Sequence, residues 1–169
     1  IHALNIIENQ QNFSNTILVI MGADFGYEKE MEGLIKKFNL SKRIMVIKNP
    51  PREDVISAYG ESEFLILPSQ WELSPLVPLE SFAFKKPVIS TNSHGIPFTV
   101  QDNKNGILVE PENPDELSKA ITKLLLDDKL RERLGISGYE FVHEECNCIS
   151  MAKNSLILYE QVLQNNDNK

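Results

Sequence analysis

Glu72-Leu-Ser-Pro-Leu-Val-Pro-Leu-Glu80-Ser-Phe-Ala-Phe-Lys-Lys-Pro-Val88 begins just two residues, Gln70 and Trp71, after Glu63-Phe-Leu-Ile-Leu-Pro-Ser69 and decides how the chain is read. Four consecutive large apolar residues closed by Pro68 mark a buried strand, and Leu76 to Phe84 reads as the opening of a helix. Glu72 then falls in a strand-to-helix loop and Glu80 about one helical turn in. In an open α/β sheet this edge binds ligands, and free N–H groups with the helix dipole favour anions there. Two carboxylates in such a place suit a ligand offering both phosphate and hydroxyl groups.

Working outward, strands and helices alternate with short connections, which predicts a parallel sheet covered on both faces. Strands are expected at Thr16–Gly22, Arg43–Lys48, Phe64–Leu67, Pro87–Thr91 and Gly106–Val109. Helices are expected at Tyr27–Phe38, Arg52–Tyr59, Leu76–Phe84 and Pro114–Leu126, with two more near Asp128–Leu134 and Ile149–Leu163. Asn113 is placed to cap the helix at Pro114, and Glu116 stands at the third position of a capping box. Residues 1–164 form one domain on this reading, and Asn165–Lys169 is a polar tail.

At 169 residues and 41% hydrophobic, the chain can bury one good core. The formal charge of −7, with no Lys/Arg run longer than two residues, argues against nucleic acid as a partner and against electrostatic membrane attachment through this piece. No apolar stretch approaches the ~20 residues that span a bilayer. Cys146 and Cys148 form a C-x-C pair without the second ligand pair a zinc site needs, so they read as free thiols of a reducing cytoplasm. His2, His94 and His143 are scattered and no Asp-x-Asp pair is present, so no metal is implied.

The motif series resembles the retaining, nucleotide-sugar-dependent glycosyltransferases of the GT-B fold, group 1 or family 4 type. Glu72 and Glu80 match an E-x7-E signature, Leu79-Glu80-Ser81-Phe82-Ala83 a Leu-Glu-Ala-Met-Ala helix, and Lys86-Pro87-Val88-Ile89 the entry to the next strand. His94-Gly95-Ile96-Pro97 resembles a Gly-Gly-Ile-Pro loop, Asn105-Gly106-Ile107-Leu108-Val109-Glu110-Pro111 an Asn-Gly-Leu-Leu-Val-x-Pro turn, and Leu130-Arg-Glu-Arg-Leu-Gly135 a late helix. The likeness runs from about Ile17 to Leu163. It implies a Rossmann-like, donor-binding C-terminal half in which Ile1–Glu8 looks like the helix after the family's Arg/Lys phosphate loop, so that the first strand either lies upstream or comes from elsewhere.

The resemblance assigns roles residue by residue. Glu72 would be the catalytic carboxylate, orienting the transferred sugar by its charge rather than attacking it. The amides of Leu73, Ser74 and Leu76 would face the phosphates, where a leaving diphosphate develops charge, and Glu80 would accept from ribose hydroxyls because an ionised carboxylate only accepts. Gly22 stands in the place of a Gly-rich phosphate loop, and Lys48 and Asn49 where the base is held, although each also reads as an ordinary turn. Ser69 is balanced between a site residue and a strand terminator, and His94 between a sugar contact and an idle loop residue. Lys85 stands where Gly is usual, and Phe98 where Glu often follows.

The implied activity is hexosyl transfer from a nucleotide-diphosphate sugar, with no cofactor beyond that donor. The implied partners are the donor and an N-terminal acceptor-binding domain of the same protein, with any membrane contact through that other half and a cytoplasmic location. A degenerate, inactive nucleotide-sugar-binding or regulatory domain is the alternative. An epimerase or phosphorylase of the same fold fits the motif series less well.

Overall fold

The computed structural model describes residues 1–10 and 15–167. Its elements in chain order are α1 (His2–Gln10), β1 (Leu18–Gly22), α2 (Glu28–Lys37), β2 (Ile44–Lys48), α3 (Arg52–Glu61), β3 (Leu65–Leu67), α4 (Leu76–Ala83), β4 (Val88–Thr91), α5 (Ile96–Thr99), β5 (Gly106–Val109), α6 (Pro114–Leu126), α7 (Asp128–Glu144) and α8 (Cys148–Asp167). The expected alternation is present, and α5 is an addition to it. The helix anticipated near Asp128–Leu134 continues to Glu144, because Gly135 and Gly138 sit where the helix presses on its neighbours and any side chain would collide. A Cβ at Gly135 would lie 2.0 Å from the Lys85 carbonyl oxygen, and one at Gly138 2.3 Å from the Phe82 ring.

All pairings are parallel, but the sheet is in two pieces, β1-β2 and β3-β4-β5. β1 and β3 are not hydrogen-bonded to each other, and the parallel α/β fold read from the sequence is what forms. Strand periodicity divides the side chains of the three-stranded sheet between two cores. Ile66, Ile89, Ile107 and Val109 face Ala3, Ile7, Ala120, Ile121, Leu124 and Leu134 on one side. Leu65, Val88 and Leu108 face Leu79, Phe82, Ile96 and Val100 on the other. The two-stranded sheet buries Leu18, Ile20, Ile44 and Val46 against Leu4, Ile35 and Leu40. Its opposite face leaves Val19 and Met45 exposed.

Helix α1 joins the pieces. Ala3 and Ile7 belong to the core beneath β3-β4-β5, while Leu4 belongs to the core beneath β1-β2. Glu8 adds an ion pair at 2.7 Å to Arg43, the residue just before β2.

Two helix ends explain local departures from the expected pattern. Phe84 closes α4, Lys85 takes φ 57°, and the N–H groups of Lys85 and Lys86 donate to the carbonyls of Phe82 (2.8 Å) and Ser81 (3.1 Å). That is a Schellman close, whose left-handed residue is easiest for glycine. The Gly usual at this position therefore has a backbone reason, and Lys85 partly offsets the strain by placing its Nζ 4.9 Å from the Tyr139 ring centroid. At α6, Asn113 Oδ1 accepts from the Glu116 N–H at 3.1 Å as expected of a cap. The reciprocal half of the capping box is absent: Glu116 Oε2 accepts from the Glu110 N–H at 2.9 Å and ties the end of β5 to α6 instead.

Because Ile7 is 1% exposed at the junction of α1 with the larger core, Ile7→Ala is expected to cost roughly 2–5 kcal/mol. Urea unfolding followed by circular dichroism checks this, and Val19→Ala on the exposed face should change stability far less.

Candidate functional site

The loop from Pro68 to Pro75 is fixed by polar residues at the end of β4. Strand β4 is buried along its whole length, including Ser90 and Thr91. Their hydroxyls are satisfied by carbonyls of the neighbouring segment: Ser90 Oγ donates to Leu67 O at 2.7 Å, and Thr91 Oγ1 donates to Ser69 O. Ser93 Oγ donates to Gln70 O at 2.6 Å, and the Gly95 N–H donates to Glu72 O at 2.9 Å. Four consecutive anchors thus place the backbone from Leu67 to Glu72. Gly95 is needed for the last, since a Cβ there would sit 1.7 Å from Leu73 O.

Within this clamped loop, Ser69 Oγ donates to Glu72 Oε1 at 3.2 Å, which makes Ser69 a partner of the carboxylate and not only a strand terminator. Trp71 packs edge-on against His94 with centroids 6.0 Å apart. His94 has φ 47°, and its Nδ1 lies 2.7 Å from Ser93 Oγ. A hydroxyl carries one proton, and that of Ser93 is given to Gln70 O. The His94 Nδ1 must therefore carry the proton between them, which leaves Nε2 of the neutral ring as an acceptor. Histidine takes the place of a second glycine here at the cost of a left-handed backbone.

Glu80 has different partners. Arg52 approaches it with both guanidinium nitrogens, Nη2 to Oε1 at 2.7 Å and Nη1 to Oε2 at 3.1 Å, and the Tyr59 hydroxyl donates to Oε2 at 2.9 Å. The Arg52 hydrogen bonds hold the Glu80 carboxyl below its ordinary range against the opposing effect of partial burial, with Tyr59 adding to the lowering. Tyr59, stacked on Phe84 at 6.0 Å, has its phenol raised by burial and by Glu80, so it remains a donor. Glu72 and Glu80 therefore share no partner, and the structure assigns them to two separate clusters of one edge.

The remaining residues singled out in the sequence lie at the ends of β1 and β2, which are paired through Gly22 and Lys48. The Asn49 N–H donates to Gly22 O at 2.9 Å, with Asn49 at φ 47°. Nothing approaches the Cβ position of Gly22, so crowding by the chain itself does not demand a glycine there. In the segment that follows, Asp24 Oδ1 accepts from the N–H groups of Gly26 (2.8 Å), Tyr27 (3.0 Å) and Glu28 (3.2 Å), an Asx turn leading into α2. Lys48 is ion-paired with Glu28, which offsets its charge.

Leu73 and Leu76 are largely exposed. Helix α4 begins at Leu76 without a side-chain cap, so the N–H groups of Leu76 and Val77 are free to meet a ligand. Pro78 has no N–H to offer, a loss that costs nothing in a first turn. Cys146 and Cys148 are exposed free thiols. Among the described residues no cluster of three candidate metal ligands occurs, and no helix is long and apolar enough to cross a membrane.

Arg52 and Tyr59 were not singled out in the sequence. Arg52 carried a faint signal, since a cation at the first residue of a helix opposes the dipole and needs a compensating anion. Tyr59 carried none, because a tyrosine ending an amphipathic segment reads as core.

The fold is that of GT-B glycosyltransferases. Sucrose-phosphate synthase from Thermosynechococcus elongatus superposes with a TM-score of 0.81 at 27% identity over 96% of this chain and 42% of that one. The C-terminal domain of a glycosyl transferase group 1 family protein (LpcC) from Francisella tularensis gives 0.78 at 26% identity over 87% of this chain and 77% of that one. A third neighbour, Anabaena HepE, was solved in complex with UDP; it shares the fold at a TM-score of 0.82 and 19% identity, over 95% of this chain and 44% of that one. The chain matches the profile of the glycosyl transferases group 1 over residues 1–141, and it belongs to that family. An uncharacterized glycosyltransferase of Methanocaldococcus jannaschii is 36% identical over 67% of this chain. A D-inositol 3-phosphate glycosyltransferase of Corynebacterium jeikeium is 31% identical over 68% of it. The matched stretch spans 32% and 27% of the length of these two relatives.

Three outcomes test this geometry. Gly95→Ala should displace the loop at Leu73 and lower stability by about 1–3 kcal/mol, read from thermal unfolding. Nitrogen-15 NMR of neutral His94 should show a protonated Nδ1 and a bare Nε2. The contribution of Glu80 to stability should be fully present above its unfolded pKa of ~4.3 and be lost as pH falls through its lower folded value. Glu80→Gln should accordingly flatten the acid limb of a stability–pH curve.

Proposed function

We propose that this chain is the donor-binding part of a retaining glycosyltransferase that transfers a hexosyl group from a nucleotide-diphosphate sugar to an acceptor. The observation that carries the reading is Glu80, a carboxylate kept ionised by Arg52 and Tyr59 in the second turn of α4. The uncapped first turn of that helix presents the free N–H groups of Leu76 and Val77. An acceptor-only group next to free donors matches a ribose hydroxyl followed by phosphate. The structures of HepE with UDP and with UDP-glucose, on the same fold, support a uridine or similar nucleotide.

In this reading Glu80 binds ribose, and the amides of Leu73, Ser74 and Leu76 receive the diphosphate. Glu72, turned by Ser69 and fixed through Gly95, orients the sugar and stabilises positive charge developing at the anomeric carbon. A double-displacement glycosidase would need two carboxyls ~5 Å apart about one bond. Glu72 and Glu80 instead belong to separate clusters, so Glu72 acts by charge and position, and the leaving phosphate takes the acceptor proton. Lys48, Asn49 and Gly22 line the base side through backbone atoms. These residues imply no metal, and the acceptor is held by the remaining part of the protein, without which this piece transfers nothing. The complete protein works in the cytoplasm, meeting a membrane surface only through that other part.

A second reading, a nucleotide-sugar-binding module without transferase activity, draws on the neutralised cations of this edge. Lys48 is paired with Glu28 and Arg52 with Glu80, so neither is free for a diphosphate.

Calorimetry with UDP, GDP and ADP tests both. One of the three should bind, and Glu80→Ala should weaken it at least about tenfold, the value of a hydrogen bond to a charged group. No binding by the complete polypeptide removes both readings. Binding without sugar transfer by the complete polypeptide selects the second.

A further inference from the structure

The carboxylate of Glu80 is almost saturated. An ionised carboxylate has about four acceptor positions on its two oxygens. Arg52 fills one on each oxygen, at 2.7 and 3.1 Å, and the Tyr59 hydroxyl fills the second position on Oε2 at 2.9 Å. One position, on Oε1, is left for a ligand. The three donors differ in how firmly they are held. The Arg52 side chain is 61% exposed and long, and it extends from the first residue of α3, where the helix dipole opposes its charge. Tyr59 is 8% exposed and turns on only two torsions, and its ring is stacked at 20° to that of Phe84.

We propose that Tyr59 is the positioning residue of the donor site: it holds Oε2 of Glu80 and so presents Oε1 as the oxygen that receives a ribose hydroxyl, while Arg52 is an exchangeable partner. The inference rests on the ribose-binding reading of Glu80 and adds which oxygen is used and which neighbour aims it. A ligand with one ribose hydroxyl directed at Oε1 fits without moving Tyr59. A second hydroxyl is accommodated by displacing Arg52 into solvent, where its guanidinium is already mostly hydrated. With Tyr59 lost, the carboxylate keeps only its link to an exposed cation on a long side chain, and its torsion is no longer set before the ligand arrives.

The test compares dissociation constants of the complete polypeptide for UDP, GDP and ADP and for their 2′,3′-dideoxy counterparts. The ratio of dideoxy to ribose constants isolates the diol from the rest of the nucleotide. The unmodified protein should favour its ribonucleotide by about tenfold or more. Tyr59→Phe keeps the ring and its stack. It should abolish most of that ratio, leave the dideoxy constant unchanged and leave the melting temperature near that of the unmodified protein. Arg52→Ala should change the ratio less than about threefold, since it removes an exposed, screened partner. Retention of the full ratio in Tyr59→Phe overturns the inference, and so does its loss in Arg52→Ala to the same extent. Absence of any ratio in the unmodified protein removes the ribose reading of Glu80 itself, an outcome distinct from failure of the positioning role. Should Tyr59→Phe not fold, a crystal structure of the unmodified protein with its nucleotide decides: a ribose hydroxyl on Oε1 with Tyr59 still on Oε2 supports the inference, and any other arrangement of these three groups sinks it.

Discussion

The burial of Ala3, Leu4 and Ile7 along α1 is the constraint on which the rest of the molecule depends. Adjacent positions of this short helix face two different cores, Leu4 the one under β1-β2 and Ala3 with Ile7 the one under β3-β4-β5. Since β1 and β3 share no hydrogen bonds, the two sheets are linked here by apolar packing, to which the Glu8–Arg43 ion pair adds. Packing of this kind transmits position well, because a close-packed interior tolerates little displacement. Arg52 and Tyr59, which follow β2, meet Glu80, which follows β3, between these two parts.

Polar satisfaction then organises the edge of the larger sheet. A strand ending in Ser90 and Thr91 would be costly to bury unless each hydroxyl found a partner. Both find carbonyls of the loop that carries Glu72. The same contacts that satisfy the strand therefore aim the loop, and Ser93 and Gly95 extend the series by two more anchors. Folding and site geometry are in this sense one problem: the loop cannot move without leaving buried hydroxyls unpaired.

Much of this is legible in the sequence. The apolar runs closed by Pro, Gly or Asn marked each strand, because a buried parallel strand must be apolar on both faces and must end where the chain turns. The Asn113 cap was legible because it is a local hydrogen bond. The Glu116 half of that motif was not, since a side chain at a helix start can reach either the cap or the preceding strand, and the choice of Glu110 is a tertiary one. The Lys85 position shows the reverse: its departure from Gly reads as an anomaly in sequence and as a strained but complete helix close in structure.

The sequence by itself determined the element types, the parallel arrangement, the family and the two carboxylates on one edge of the fold, since these depend on periodicity, turn chemistry and spacing along the chain. Only the tertiary structure decided that Lys48 is neutralised by Glu28 and that Glu80 is held by Arg52 and Tyr59, 28 and 21 residues away. The reason is the range of the forces involved. Backbone preference and apolar periodicity act between near neighbours, whereas the partner of a side-chain charge is whichever residue the packing of distant helices brings within about 3 Å.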